Sequence, residues 1–124
     1  MKIKCGTDII EIERIKESIE SLGNKFLEKI FTESEIQYCE SKKAQKYQHY
    51  AARFAAKEAT FKAISESLEN KYELTWSDYE VLNDDMGKPI VKIIGDKIEE
   101  LENIDLSISH CKQYAVATVV AVFK

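Results

Sequence analysis

The stretch Tyr50-Ala-Ala-Arg-Phe-Ala-Ala-Lys-Glu-Ala-Thr-Phe-Lys-Ala-Ile64 carries five alanines between positions 51 and 59 and neither glycine nor proline. Its intrinsic preference is therefore strongly helical. On a wheel at about 100° per residue with Phe54 at 0°, Ala51 falls near 60°, Phe61 near 340° and Glu58 near 40°, so a carboxylate sits on the apolar face. Arg53 and Lys57 fall at roughly 260° and 300°, flanking the stripe on the side opposite Lys62. An ionised carboxylate desolvated without a partner costs several kcal/mol, so Glu58 needs a cation, a salt bridge or a raised pKa. One reading is a Glu58–Lys62 helix pair worth about 0.3–0.5 kcal/mol. The other is a site in which Arg53, Lys57 and Lys62 hold a phosphate beside a metal bound by Glu58.

Toward the N-terminus, residues 2–8 read as a strand, and Ile12, Ile15, Ile19 and Leu22 recur at helical spacing up to Gly23. Asp8 thus falls where a strand hands over to a helix. It is either a second carboxylate for a magnesium-type cation, which takes one or two protein oxygens, or an N-cap. Thr32 followed three residues on by Glu35 predicts a capping box and a helix over about 33–42.

Toward the C-terminus, Leu74, Trp76 and Val81 suggest a strand, and turn chemistry at Asn83–Pro89 leads into Ile90–Ile94, together a hairpin. Asp96–Asn103 is expected as a short acidic helix with Ile98 and Leu101 inward. Asp105–His110 and Ala115–Phe123 form a second hairpin. Helices first and strands later favour an α+β fold with an antiparallel sheet. Within the second hairpin, Ser107-Ile-Ser-His110 places His110 near the rim of the sheet. His49 is read as a structural residue.

The 124 residues and 14.3 kDa suit one domain, 1–124, and 44% hydrophobic content supports a folded core. The longest apolar run, Tyr114–Phe123, is about half a membrane span and rich in β-branched residues, so no membrane association is expected. No export signal is evident near Met1, which points to the cytoplasm. Cys5, Cys39 and Cys111 fit neither a disulfide framework nor a Cys-x-x-Cys motif. The overall charge of −4 argues against nucleic acid. Between Glu40 and Lys62, however, six basic side chains face two glutamates, a confined anion site suited to a small phosphorylated ligand. Dinucleotide, P-loop, zincin and nucleophile-elbow motifs are absent.

Gly6-Thr7-Asp8-Ile9, Arg53-Phe-Ala-Ala-Lys-Glu-Ala59, Gly87-Lys88-Pro89 and Ser107-Ile-Ser-His110 form an ordered set along the chain. The set resembles the holo-acyl-carrier-protein synthase family of 4′-phosphopantetheinyl transferases over nearly the whole length. The resemblance implies transfer of 4′-phosphopantetheine from coenzyme A to a serine of apo acyl carrier protein, releasing adenosine 3′,5′-bisphosphate, usually in fatty-acid synthesis. It implies that Asp8 and Glu58 ligate Mg2+ and carry catalysis, with Glu58 or a metal-bound water as the base. It further implies that Arg53, Lys57 and Lys62 contact coenzyme A phosphates, that Gly87, Lys88 and Pro89 lie beside the nucleotide, and that Ser109 and His110 sit at a phosphate. Arg14 matches a cation of the carrier-docking helix, although Glu11, Glu13, Glu17 and Glu20 outnumber Arg14 and Lys16 there. Thr60-Phe61 departs from the family, whose aromatic stands one position earlier, about 100° around the helix. The family also implies a homotrimer with sites shared between subunits. A non-catalytic coenzyme A or nucleotide-binding module, or a protein-interaction domain, are the competing readings.

Overall fold

Pairing of the two longest C-terminal strands with the N-terminal one builds the sheet on which the rest of the chain packs. The computed structural model describes residues 1–68, 74–95 and 98–124. Strand β1 (Lys2–Glu11) leads into helices α1 (Ile12–Leu22), α2 (Asn24–Ile30), α3 (Glu33–Glu40) and α4 (Lys46–Ile64). Strands β2 (Tyr79–Asn83), β3 (Pro89–Ile93), β4 (Leu101–His110) and β5 (Tyr114–Phe123) follow. One sheet has the order β1-β5-β4 and a second pairs β2 with β3, all antiparallel. The fold is α+β, as the order of elements predicts.

Helix α4 lies across β1 and β5 with small residues on both sides of the contact. Ala55, Ala56, Ala59 and Ala63 of the helix are buried in one cluster with Ala117, Val119 and Ala121 of β5. Side chains of this size let helix and sheet approach closely. A second cluster joins Ile12, Ile15, Ile19, Leu27, Ile30 and Phe31 to Tyr50, Ala51 and Ala52, so α1 and α2 close over the N-terminal half of α4. The face of the sheet turned away from α4 stays open: Ile3 is 65%, Ile9 63% and Val120 40% exposed.

Three elements differ from the sequence reading. Helix α2 was not expected; it begins directly after α1 because the Gly23 carbonyl accepts from Phe26 and Leu27 N–H, and Leu27 and Ile30 then enter the core. A seven-residue helix owes its stability to such packing rather than to propensity. Leu74 and Trp76 precede the β2 strand: Trp76–Asp78 is a single 3₁₀ turn, with Thr75 N–H donating to Asp78. The expected helix at Asp96–Asn103 is also corrected. Asp96 and Lys97 lie outside the described residues, but Leu101 and Asn103 already belong to β4, opposite Phe123 and Val122. Ladder pairing to β5 supplies backbone bonds that a short isolated acidic helix could not match.

Candidate active site

Gly6 determines where β1 meets α4. A Cβ there would lie 2.1 Å from the Ala59 carbonyl oxygen and 2.9 Å from Lys62 Cβ, so only glycine permits the approach. Two residues further along a strand is the same face, and Asp8 therefore also looks onto α4, opposite Ala117 in the sheet. Asp8 stands inside β1, and the N-cap of α1 is Glu11, which rules out the capping role for Asp8.

Lys62 reaches from α4 to β1, donating to the Thr7 carbonyl at 2.9 Å and to Asp8 Oδ1 at 3.2 Å. The lysine side chain is 52% and the aspartate 17% exposed. The Glu58–Lys62 ion pair considered from the sequence is thus replaced by a pair across elements. Glu58 is half-buried, and its carboxyl titrates above the ordinary range because burial disfavours the charged form and Asp8 repels it, with Lys62 opposing both. Two carboxylates, one of them raised by burial and by the other's charge, with the exposed Lys62 at their edge, form an oxygen donor set that suits a hard divalent ion. Among the described residues no cluster of three or more His, Cys, Asp or Glu could hold a metal by itself. Magnesium needs fewer, since it usually keeps water and substrate phosphates in its shell.

Beside Glu58 opens a cavity of about 320 Å³ walled by Lys57, Glu58, Phe61, Leu74, Thr75, Trp76 and Tyr79. Trp76 stacks on Phe54 with ring centroids 5.1 Å apart. Burial pushes the Tyr79 hydroxyl up to about 12, so it stays protonated at neutral pH. Phe61 of the Thr60-Phe61 departure is one of these walls, while Thr60 is buried and bonds back to the Ala56 carbonyl.

Lys57 is not available to a phosphate. Its ammonium is fully buried and donates to Glu35 Oε1 at 2.6 Å, to the Ile30 carbonyl at 2.7 Å and to the Trp76 carbonyl at 3.1 Å. A lysine has three donors, and all three are committed. Burial pulls this ammonium below the usual lysine range and Glu35 draws it back.

The remaining expected ligands lie in two further groups. Arg53 is buried, its guanidinium carbon 4.1 Å from the centre of the Tyr38 ring, which also receives Lys42 at 4.8 Å. His49 meets Tyr38 edge-on at 5.5 Å and faces His110 at 6.4 Å. Arg53, Lys42 and His110 all hold the His49 imidazole below its ordinary range, after burial. Ser109 is exposed on β4 opposite Val116. His49 stands nine residues before Glu58 on α4, which is roughly 13–14 Å along the axis and about half a turn around it. The imidazole and guanidinium group is therefore separate from Asp8, Glu58 and Lys62 within one chain. Gly87 turns the β2–β3 hairpin at φ 84°, and Asp84 accepts from the Met86 and Lys88 N–H groups. Lys88 reaches Asp105 on β4 at 2.6 Å, next to Pro89 at the start of β3. Arg14 is exposed on α1, at a groove of about 450 Å³ that includes Ile10, Ser18, Leu22, Phe26 and Phe54.

Glu35, Trp76 and Tyr79 were missed as site residues. The capping box identifies Glu35, but only as a cap; nothing local signals that its carboxylate also meets Lys57.

The model of the 4′-phosphopantetheinyl transferase superfamily matches residues 4–119. The holo-[acyl-carrier-protein] synthase of Ruminiclostridium cellulolyticum is 50% identical over 125 residues, spanning 97% of this chain and 92% of that one. A Bacillus anthracis holo-(acyl-carrier-protein) synthase solved in complex with CoA (3′,5′-ADP) superposes with a TM-score of 0.78 at 40% identity, over 95% of this chain and 94% of that one. The Helicobacter pylori holo-[acyl-carrier-protein] synthase in complex with coenzyme A gives 0.80 at 30% identity, over 95% and 99%. The chain belongs to the 4′-phosphopantetheinyl transferase superfamily, a family of transferases. Within it the chain groups with the holo-[acyl-carrier-protein] synthases and is an enzyme of that class.

Proposed function

We propose that the protein transfers the 4′-phosphopantetheinyl group of coenzyme A to a serine hydroxyl of apo acyl carrier protein, releasing adenosine 3′,5′-bisphosphate. The observation that carries this reading is the convergence of Asp8, Glu58 and Lys62 at the Gly6 contact between β1 and α4.

Asp8 and Glu58 are the residues that would hold magnesium, which when bound supplies positive charge against the phosphoryl oxygens and the leaving group. Lys62 is the exposed cation beside them and binds the pyrophosphate by a charge-assisted hydrogen bond. Glu58 lines the cavity and is positioned to accept the serine proton as it attacks. Phe61, Leu74, Trp76 and Tyr79 give the neighbouring cavity an apolar lining, which limits water at the reacting phosphorus.

The active unit on this reading is a homotrimer. Two features support it: the open apolar face of the β1-β5-β4 sheet, and the separation of Arg53, Ser109 and His110 from Glu58. A neighbouring copy would bring its Arg53, Ser109, His110 and Gly87–Pro89 turn to the nucleotide end of coenzyme A. The carrier protein would dock on α1 at Arg14. The setting is cytoplasmic fatty-acid synthesis.

Incubation with coenzyme A, magnesium and an apo acyl carrier protein should raise the carrier mass by about 340 Da, the phosphopantetheinyl group of this phosphoryl-linked transfer. EDTA should abolish the gain. Coenzyme A binding with no gain would leave a binding module instead.

A further inference from the structure

Glu35 and Lys57 are both fully buried, and their polar contacts run to four different segments. Lys57 donates to the carbonyl that ends α2, at Ile30, and to that of Trp76. Glu35 Oε1 accepts from the Thr32 N–H at 2.8 Å and Oε2 from the Val81 N–H at 2.8 Å. Every donor of the ammonium and both carboxylate oxygens are thereby used.

The segments tied together are the walls of the cavity beside Glu58. Lys57 precedes Glu58 on α4, and Phe61 follows one turn later on the same wall. Trp76 and Tyr79 form the facing wall. One is held through its own carbonyl, and the other lies two residues from the Val81 N–H that Glu35 anchors. A buried ion pair is seldom a net stabiliser compared with well-packed apolar side chains, but its directed bonds fix how elements sit against each other.

We infer that the Glu35–Lys57 pair is a positioning device for the transfer reaction: it sets α4 against β2 and the Trp76 turn, holding Glu58 at the cavity without touching substrate. The inference rests on Glu58 belonging to the coenzyme A site. It assigns both residues an effect on kcat through Glu58 and leaves the phosphate contacts of Lys62 intact.

The test compares the wild-type enzyme with the double variant Glu35→Gln/Lys57→Met and with Glu35→Asp. The double variant removes both charges, so no buried ion is left unpaired, and the amide introduced at position 35 can still accept from the Val81 N–H. Glu35→Asp keeps both charges and shortens the reach by one methylene. The double variant should unfold cooperatively and lose about tenfold or more in kcat through misplacement of Glu58, with a smaller rise in KM for coenzyme A because Asp8 and Lys62 stay in place. Glu35→Asp should show the same changes at smaller size, and it decides the question if the double variant does not fold. Wild-type kcat in a folded variant would overturn the inference. So would a loss that tracks only the folded fraction, or a selective rise in KM, which would put Lys57 on the substrate. A wild-type enzyme that transfers nothing to the carrier would instead sink the functional reading, and the inference with it.

Discussion

Replacing Gly6 by alanine tests the contact on which the site is built. The added Cβ would stand 2.1 Å from the Ala59 carbonyl oxygen and 2.9 Å from both the Ala63 nitrogen and Lys62 Cβ. Ordinary contact begins near 3.4 Å, so β1 and α4 must part by more than 1 Å against backbone atoms that cannot rotate away. Overpacking of this kind costs about 1–3 kcal/mol. For a chain of this size that is a fall in Tm of roughly 3–15 °C. The parting also moves Asp8 away from Glu58 and Lys62, and a misplacement of about 1 Å at a catalytic constellation costs on the order of 100-fold in rate. Thermal unfolding followed by circular dichroism, with carrier modification measured well below the new Tm, separates the two effects. A Gly6→Ala protein with Tm within about 1 °C of wild type and kcat within about threefold would show that the Gly6 contact does not set the site.

Three further outcomes are expected. Asp8→Asn removes one anionic oxygen from the donor set while keeping its size, so turnover should fall by about 100-fold or more, with the magnesium concentration for half-maximal rate raised; an unchanged magnesium dependence would contradict it. Glu58 binds its proton more tightly folded than unfolded, so it contributes stability at low pH that is lost as pH rises from the unfolded carboxyl value through the raised folded one. Glu58→Gln should therefore be more stable than wild type above that window and equal to it below, while kcat collapses; chemical denaturation at pH 4 and pH 7.5 reads the difference. Ile9→Lys places a charge on the open sheet face where Ile9 is 63% exposed, and if that face is the proposed subunit contact, sedimentation should show the proposed trimer replaced by monomer with activity lost; an unaltered sedimentation coefficient would contradict the contact at this face.

Helix α4 was legible because its alanine content leaves few alternatives, and Glu58 stood out because a carboxylate on an apolar stripe demands an explanation. The partnership of Asp8 with Glu58 and Lys62 was not readable from spacing, since some fifty residues separate them and only the Gly6 contact joins them. Lys57 was misread for a related reason. A wheel assumes one face to water, whereas α4 is covered along most of its length by the sheet, α1, α2 and the Trp76 turn, and the flank that carries Lys57 is inside. Helix α2 escaped notice because so short a helix has no periodicity to display and forms by packing. The start of β4 was masked by its acidic residues: Leu101 and Asn103 pair with β5 whatever their propensity.

On the proposed function, Asp8 and Glu58 together hold the ion through which coenzyme A is engaged. Calorimetric titration of coenzyme A into the wild type and into Asp8→Asn/Glu58→Gln, each with magnesium and with EDTA, measures it directly. Magnesium should tighten binding to the wild type by tenfold or more, on the order of 1.4 kcal/mol, and have no effect on the double variant. An equal gain from magnesium in both proteins would contradict it.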